Sequence, residues 1–244
     1  MPHRLYNWLQ DNYDRLINWQ DRLKRELPGL MLMMPDADAG PVLDLGCATG
    51  GHMKPLLERG YKCYGIDLSE HLIEVAKDKL SQWAPPLAVG DVIKGVPKEW
   101  KSISAQLCLG NTLSHFKPNT IAKFAESTYK RAKRGGILII ENRNWDRLLE
   151  VQERFLKPVV HNDTIYMRVL DFPKTEREPV VMTVALWRKD RWESSSVPLW
   201  AFRAKKLDKA FTEAGWKLVG VSGNLAGASF DPVLSTDWVT VWKK

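Results

Sequence analysis

A chain of 244 residues can bury a full core as one elaborated domain, and two large independent domains are excluded. Its formal charge of +7 comes from basic residues scattered among acids, which describes a solvated surface and gives no concentrated nucleic-acid groove. Cys47, Cys63 and Cys108 lie in apolar stretches without C-x-x-C spacing, no apolar run approaches the roughly 18 residues of a membrane span, and charges occupy the N-terminus, so a cytoplasmic protein with reduced thiols and no membrane is expected.

In chain order, aromatic and apolar residues recur at helical spacing from Leu5 to Leu30, and Met31, Met33 and Met34 read as core fillers. Pro41-Val-Leu-Asp-Leu-Gly46 predicts a first strand that runs into a glycine turn. A helix over 51–59, a strand from Tyr61 to Ile66 ending at Asp67, and a helix from Ser69 to Leu80 with an N-cap serine complete a β-α-β-α run. Pro86 to Gly90 is a third strand ending at Asp91, and Ser104 to Leu109 a fourth ending at Gly110-Asn111. A helix from Pro118 to Arg134 follows, then a break at Gly135-Gly136 and a fifth, fully apolar strand, Ile137 to Ile140.

From Lys157 to Phe202 the rhythm changes to alternation with turns, notably over Thr164–Phe172, Val180–Arg188 and Trp192–Trp200. Lys205 to Ala214 is helical, and Trp216–Val221 and Trp238–Trp242 are two more strands at the sheet edge. The expected fold is α/β: a Rossmann-like, doubly wound, mostly parallel seven-stranded sheet with an N-terminal helical segment and a small antiparallel lid inserted after the fifth strand. Residues 1–40 form the helical cap, 41–156 and 203–244 the sheet domain, and 157–202 the lid.

In an open parallel sheet ligands bind beyond the carboxyl ends of the strands, so strand-end residues carry the functional weight. Asp44-Leu-Gly46-Cys-Ala-Thr-Gly50-Gly51 lets backbone approach a ligand closely, and Asp67, about 20 residues on, suits both hydroxyls of a ribose. Ala48 replaces the second glycine of G-x-G-x-x-G, which weakens the case for a pyrophosphate and hence for NAD. S-adenosylmethionine has ribose and adenine without a pyrophosphate, and its zwitterionic end suits a turn flanked by Asp44.

The runs Val42-Leu-Asp-Leu-Gly-Cys-Ala-Thr-Gly50, Gly65-Ile-Asp-Leu-Ser69 and Gly90-Asp-Val92 resemble the motif series of the class I methyltransferases, in order and spacing, over residues 41–141. That resemblance implies S-adenosyl-L-methionine as cofactor and S-adenosyl-L-homocysteine as product. It assigns Asp67 to ribose, Asp91 to the adenine amino group, and the fourth-strand end, Leu109 and Asn111, to the border with substrate. Asp44, Gly46, Cys47, Ala48, Gly50, Leu68 and Val92 complete the cofactor set. Asp91 also reads as a plain turn carboxylate.

A narrower resemblance rests on Leu109-Gly-Asn-Thr-Leu-Ser-His115, on Glu141-Asn-Arg-Asn-Trp-Asp146 and on the aromatic segment from Tyr13 to Arg22, which are similar to the glycine and glycine/sarcosine N-methyltransferases. It implies that Arg143 pairs with the substrate carboxylate, that Asn111 helps hold the amino acid, that Tyr13, Trp19 and Arg22 cover the cofactor, and that Tyr166 reaches the substrate from the lid. A bidentate guanidinium suits a small carboxylate, although a surface ion pair is the other reading of Arg143. Trp187 and Trp200 replace smaller aromatics or tyrosines, which leaves the exact amine open and admits a bulkier or more methylated one.

The expected activity is N-methylation of a small amine carrying a carboxylate, such as glycine or sarcosine, by in-line transfer. Positioning dominates such a reaction, so no essential base is expected; His115 is a secondary candidate, or a structural hydrogen-bonding group. His3, His52, His71, His115 and His161 show no metal-ligand pairing and no metal is expected. Expected partners are the small substrate alone, without nucleic acid, and a homo-oligomer is compatible. Methylation of RNA or protein, another small acceptor, or a cofactor-binding module without activity stand as alternatives.

Overall fold

The computed structural model describes residues 3–9 and 12–244. The N-terminal segment forms three helices, α1 (His3–Leu9), α2 (Asn12–Ile17) and α3 (Trp19–Met33), where spacing alone predicted one run from Leu5 to Leu30. Residues 1, 2, 10 and 11 of that predicted segment lie outside the described ones. Asn18 parts α2 from α3 because it takes a left-handed conformation, φ 50°, which asparagine tolerates better than most residues.

Strands and helices then alternate: β1 (Val42–Leu45), α4 (Met53–Leu57), β2 (Cys63–Asp67), α5 (Glu70–Lys79), β3 (Leu87–Val89), β4 (Ile103–Cys108), α6 (Ile121–Arg131) and β5 (Ala132–Arg143). Next come α7 (Trp145–Val151), which the sequence reading missed, and the strands β6 (Phe155–His161), β7 (Thr164–Asp171), β8 (Val180–Arg188) and β9 (Arg191–Leu199). The chain closes with α8 (Ala204–Glu213), β10 (Lys217–Ser222) and β11 (Asp237–Lys243).

Seven strands form a sheet in the order β10-β11-β5-β4-β1-β2-β3, in which β1 to β5 run parallel and β11 is antiparallel to both its neighbours. The central strands β1 and β4 are buried along their whole length, as expected of parallel strands covered on both faces. Strand order reverses between β1 and β4, which opens the crevice where such sheets bind ligands. β6 to β9 make a separate antiparallel sheet in sequential order.

Local chemistry explains the element ends. Ser69 Oγ accepts a hydrogen bond from the Leu72 N–H and caps α5, whose last turn carries Lys77 and Lys79 against the helix dipole. α6 stops at Arg131 and not at Arg134, because β5 already begins at Ala132. Gly135 and Gly136 do not break the strand; they form a bulge, where pairing with β4 jumps from Ile103–Ala132 to Ala105–Ile137. Gly135 has φ +73°, and a Cβ on Gly136 would lie 2.8 Å from the Ile103 carbonyl oxygen.

One core layer, with Phe124, Phe211, Trp216 and Trp242, lies on one face of the sheet, and a second, with Leu30, Met53 and Leu56, on the other; Met31, Met33 and Met34 pack against the second. A third cluster joins Leu5, Leu9 and Leu16 of the N-terminal helices to Trp145 and Leu148 of α7 and to Tyr166, Leu170, Val184 and Leu199 of the small sheet. Burying each of those leucines stabilises the assembly by roughly 1.5–3 kcal/mol, so the N-terminal helices hold the small sheet over the crevice. Among the described residues no helix is long and apolar enough to cross a membrane.

Candidate active site

The crevice at the carboxyl ends of β1, β2 and β4 is a cavity of ≈ 460 Å³. Its wall brings together Tyr13, Trp19, Arg22, Asp44, Gly46, Cys47, Ala48, Asp67, Leu68, Asp91, Val92, Leu109 and His115. Gly50 is outside it, turned against Leu80 and Ala76, and Asn111 lies in a neighbouring cavity. Ala48 holds φ 47°, so the turn keeps a left-handed bend while carrying a Cβ where a glycine would leave room for a pyrophosphate.

Asp67 fastens this turn to the end of β2: its Oδ2 accepts from the Ala48 N–H at 2.9 Å and its Oδ1 from the Ser69 N–H at 2.9 Å. Burial pushes the Asp67 carboxyl up, against those backbone bonds. Asp44, 3% exposed, is pushed up to about 7 by burial and by the charge of Asp67, with Arg22 opposing. Asp91 is a turn carboxylate and a wall residue at once, since its Oδ1 accepts from the Ile93 N–H at 2.7 Å.

The N-terminal helices roof the cavity, and Asp14 secures them. Its Oδ1 accepts from Thr49 Oγ1 at 2.5 Å and from Trp19 Nε1 at 2.8 Å, and its Oδ2 from Lys79 Nζ at 2.5 Å. The roof sits so close to the turn that a Cβ on Gly51 would fall 2.3 Å from the Trp19 indole. Arg22 is enclosed by carboxylates: it donates to Glu26 at 2.8 Å and to Glu141 at 2.8 Å, and Glu141 also accepts from the Gly110 N–H at 2.7 Å. Burial opposes the Arg22 charge, but Glu141 and Glu26 outweigh it and hold the guanidinium protonated.

A smaller cavity of ≈ 110 Å³ lies under the small sheet. Tyr6, Tyr13, Arg22, Gly110 and His115 line both cavities and form their junction. Asn111, Arg143 and Arg168 line the small one, beside aliphatic residues of the lid strands. Asn111 Oδ1 accepts from the Arg143 N–H at 3.1 Å, while the Arg143 guanidinium donates to Asp237 at 3.0 Å, so Arg143 is an ion-pair partner and a cavity residue together. His115 Nε2 lies 2.7 Å from the Tyr6 hydroxyl, its Nδ1 is buried without a hydrogen-bond partner among the described residues, and burial brings its pKa down to about 4, so the ring is neutral near pH 7.

Tyr166 stands apart from the residues above. It is fully buried in the third core cluster, its hydroxyl donates to Asn12 at 3.2 Å, and it lines neither cavity. Trp187 and Trp200 line neither cavity; Trp187 rests against Trp192, so their bulk leaves both cavities untouched. Sequence reasoning missed Tyr6, Glu141 and Arg168. Arg168 had a signal: it shares the inward parity of Thr164, Tyr166 and Leu170, where an apolar side chain is the rule.

Residues 42–136 match the methyltransferase domain family. The chain is 30% identical over 155 residues to the glycine/sarcosine N-methyltransferase of Parasynechococcus marenigrum, covering 57% of this chain and 51% of that one. It is 28% identical over 160 residues to a tRNA N(3)-methylcytidine methyltransferase of Schizosaccharomyces pombe, covering 60% and 50%. The chain thus spans about half the length of the curated relatives it matches. An S-adenosylmethionine-dependent methyltransferase from Clostridium acetobutylicum superposes with a TM-score of 0.80 at 16% identity, over 98% of each chain. Residues 42–136 thus carry a methyltransferase domain, and the sheet order and the glycine turn at its crevice give the chain the fold of the S-adenosylmethionine-dependent methyltransferase on which it superposes.

Proposed function

We propose that the chain is an N-methyltransferase that moves a methyl group from S-adenosylmethionine to a small amine carrying a carboxylate, of the glycine and sarcosine kind. The observation that carries this reading is the pair of joined cavities: one walled by acids and a glycine turn, the other by arginines, meeting at Tyr6, Tyr13, Gly110 and His115. The glycine/sarcosine relative supports it.

The donor set of the larger cavity fits adenosylmethionine. Asp67 offers its remaining lone pairs to a diol, Asp91 keeps one oxygen outside its turn bond for an amino group, and Asp44 stands near Arg22 for a zwitterion. When bound, the cofactor supplies a methyl already activated by a sulfonium. The residues of the chain then have to align a neutral amine, and proximity alone can lower such a barrier by roughly 7–11 kcal/mol. Neutral His115 at the junction holds the amine by hydrogen bonding and takes no proton from an ammonium, whose pKa lies well above its own. The amine therefore arrives deprotonated from solvent.

RNA is the weaker acceptor reading. The small cavity, ≈ 110 Å³, falls below the roughly 300–1,000 Å³ of ordinary small-molecule sites, which leaves little room for a nucleobase. The test is mass-spectrometric detection of methyl transfer to glycine, sarcosine, dimethylglycine, amines lacking a carboxylate, and bulk tRNA. Methylation of the first group supports the reading. Transfer to tRNA alone, or to the uncharged amines in preference, overturns it.

A further inference from the structure

Three arginines reach the small cavity, and two of them are compensated. Arg22 lies between Glu26 and Glu141, and Arg143 faces Asp237. Among the described residues Arg168 has no carboxylate partner and its buried Nε has no hydrogen-bond partner, while its Nη2 donates to the Lys157 carbonyl oxygen at 3.2 Å. It stands in the middle of β7, opposite Leu156 on β6 and Val184 on β8, and Leu170 and Met182 complete an aliphatic surround. The guanidinium is partly buried, with Nη2 toward the exposed side, so leaving it without a carboxylate carries a desolvation cost that one backbone bond offsets only in part. Its burial, and then the nearby charges of Arg143 and Arg22, bring its pKa down to about 10.

We propose that Arg168, on the lid strand, receives the carboxylate of the methyl acceptor, and that this single uncompensated cation makes the site selective for small monoanions. The inference rests on the amine-carboxylate reading above and assigns the anion to a residue that the strand-end motif does not contain. Arg143, already neutralised by Asp237, orients the same carboxylate from the strand side. A second carboxylate on the acceptor would find no further unpaired arginine in the cavity among the described residues, so dicarboxylates are disfavoured by desolvation.

Acetate, with acetamide as its neutral isostere, isolates the binding step from any turnover. Ligand-observed NMR should find acetate bound and acetamide not. Arg168→Met should weaken acetate by roughly ten- to a hundredfold, the range of a lost charge-assisted pair, while leaving S-adenosylhomocysteine affinity within about twofold. The same variant should unfold at a slightly higher temperature than the parent, because a partly buried unpaired charge kept for binding is a stability cost, whereas a structural arginine would lower the midpoint. Equal acetate binding by the parent and Arg168→Met, with loss in Arg143→Met, overturns the proposal and leaves the amine-carboxylate reading intact. Acetamide binding as tightly as acetate also overturns it, and the acceptor panel then decides separately whether that reading survives. If the methionine variant does not fold, Arg168→Lys carries the test. Keeping the charge but losing the planar fork should weaken acetate severalfold, and an unchanged affinity counts against the assignment.

Discussion

The two cavities handle charge in opposite ways. The larger one carries Asp44, Asp67 and Asp91 at strand ends, the smaller one arginines set among leucines and valines, and at their junction the charged Arg22, held by Glu26 and Glu141, stands with Tyr6, Tyr13 and His115, which are neutral near pH 7. Under the proposed reading, a cationic methyl donor and an anionic acceptor are thereby each drawn to their own side. The two sides also differ in origin. The acids follow from single strands and the turns after them, whereas the basic cavity is assembled from α1, α2, β5 and the lid sheet, which are far apart in the chain.

The largest expected effect concerns Asp44 and pH. Its carboxyl titrates near 7 in the folded protein and near 3.8 when unfolded, so between those values the folded state holds a proton that the unfolded chain has released. Stability therefore falls as pH rises from about 4 to about 7, by up to roughly 4 kcal/mol. Asp44→Asn should remove that fall in urea titrations across the range. His115 contributes the opposite slope: its folded pKa is about 4 against 6.5 unfolded, so stability is lost as pH drops through that window, and His115→Gln should abolish the loss. Two variants that tilt the profile in the same direction would break the contrast between the acid wall and the neutral junction.

Next in size, Asp67→Ala should cost the cofactor side about 3 kcal/mol, a hundredfold or so in S-adenosylhomocysteine affinity by calorimetry, because a carboxylate and two backbone bonds are lost together. Acetate binding in the other cavity should stay within about twofold. Equal losses on both sides would mean that the cavities are not energetically separate. Asp14→Ala acts on the roof alone: with the ties to Thr49, Trp19 and Lys79 gone, cofactor release should quicken about tenfold in stopped-flow fluorescence of the site tryptophan, with little change in association.

The same difference in origin decides how far the sequence could be read. Val42-Leu-Asp-Leu-Gly46 and Gly65-Ile-Asp67 each hold strand, turn and acid within a few residues, so local pattern fixes their place at the crevice. The junction is harder: Tyr6 reaches His115 across 109 positions, and no local signal marks that contact. The lid misled in an instructive way. Tyr166 and Arg168 share one face of β7, and the tyrosine that resemblance assigned to the substrate is spent on Asn12 in the core, while the arginine two positions on meets the cavity. Alternation alone would have raised Arg168, since an inward arginine on an apolar face is an exception that needs a reason. The break expected at Gly135-Gly136 failed for a related reason, as glycines signal a bulge as readily as an end, and pairing with β4 decides which.

The smallest effect separates Arg143 from Arg168, the two arginines of the small cavity that do not also line the large one. Asp237 pairs with Arg143 at a site where both side chains are about a quarter exposed, so the pair itself is worth no more than about 1 kcal/mol. Asp237→Asn frees the Arg143 charge into the small cavity and should tighten acetate two- to fivefold, a gain that shrinks in high salt because part of the field passes through solvent. If Arg168 is the main anchor, that modest gain is all that follows. A collapse of acetate binding would have the opposite meaning: Asp237 would be holding the Arg143 fork in the orientation that grips the carboxylate, and the strand end would outweigh the lid in choosing the acceptor.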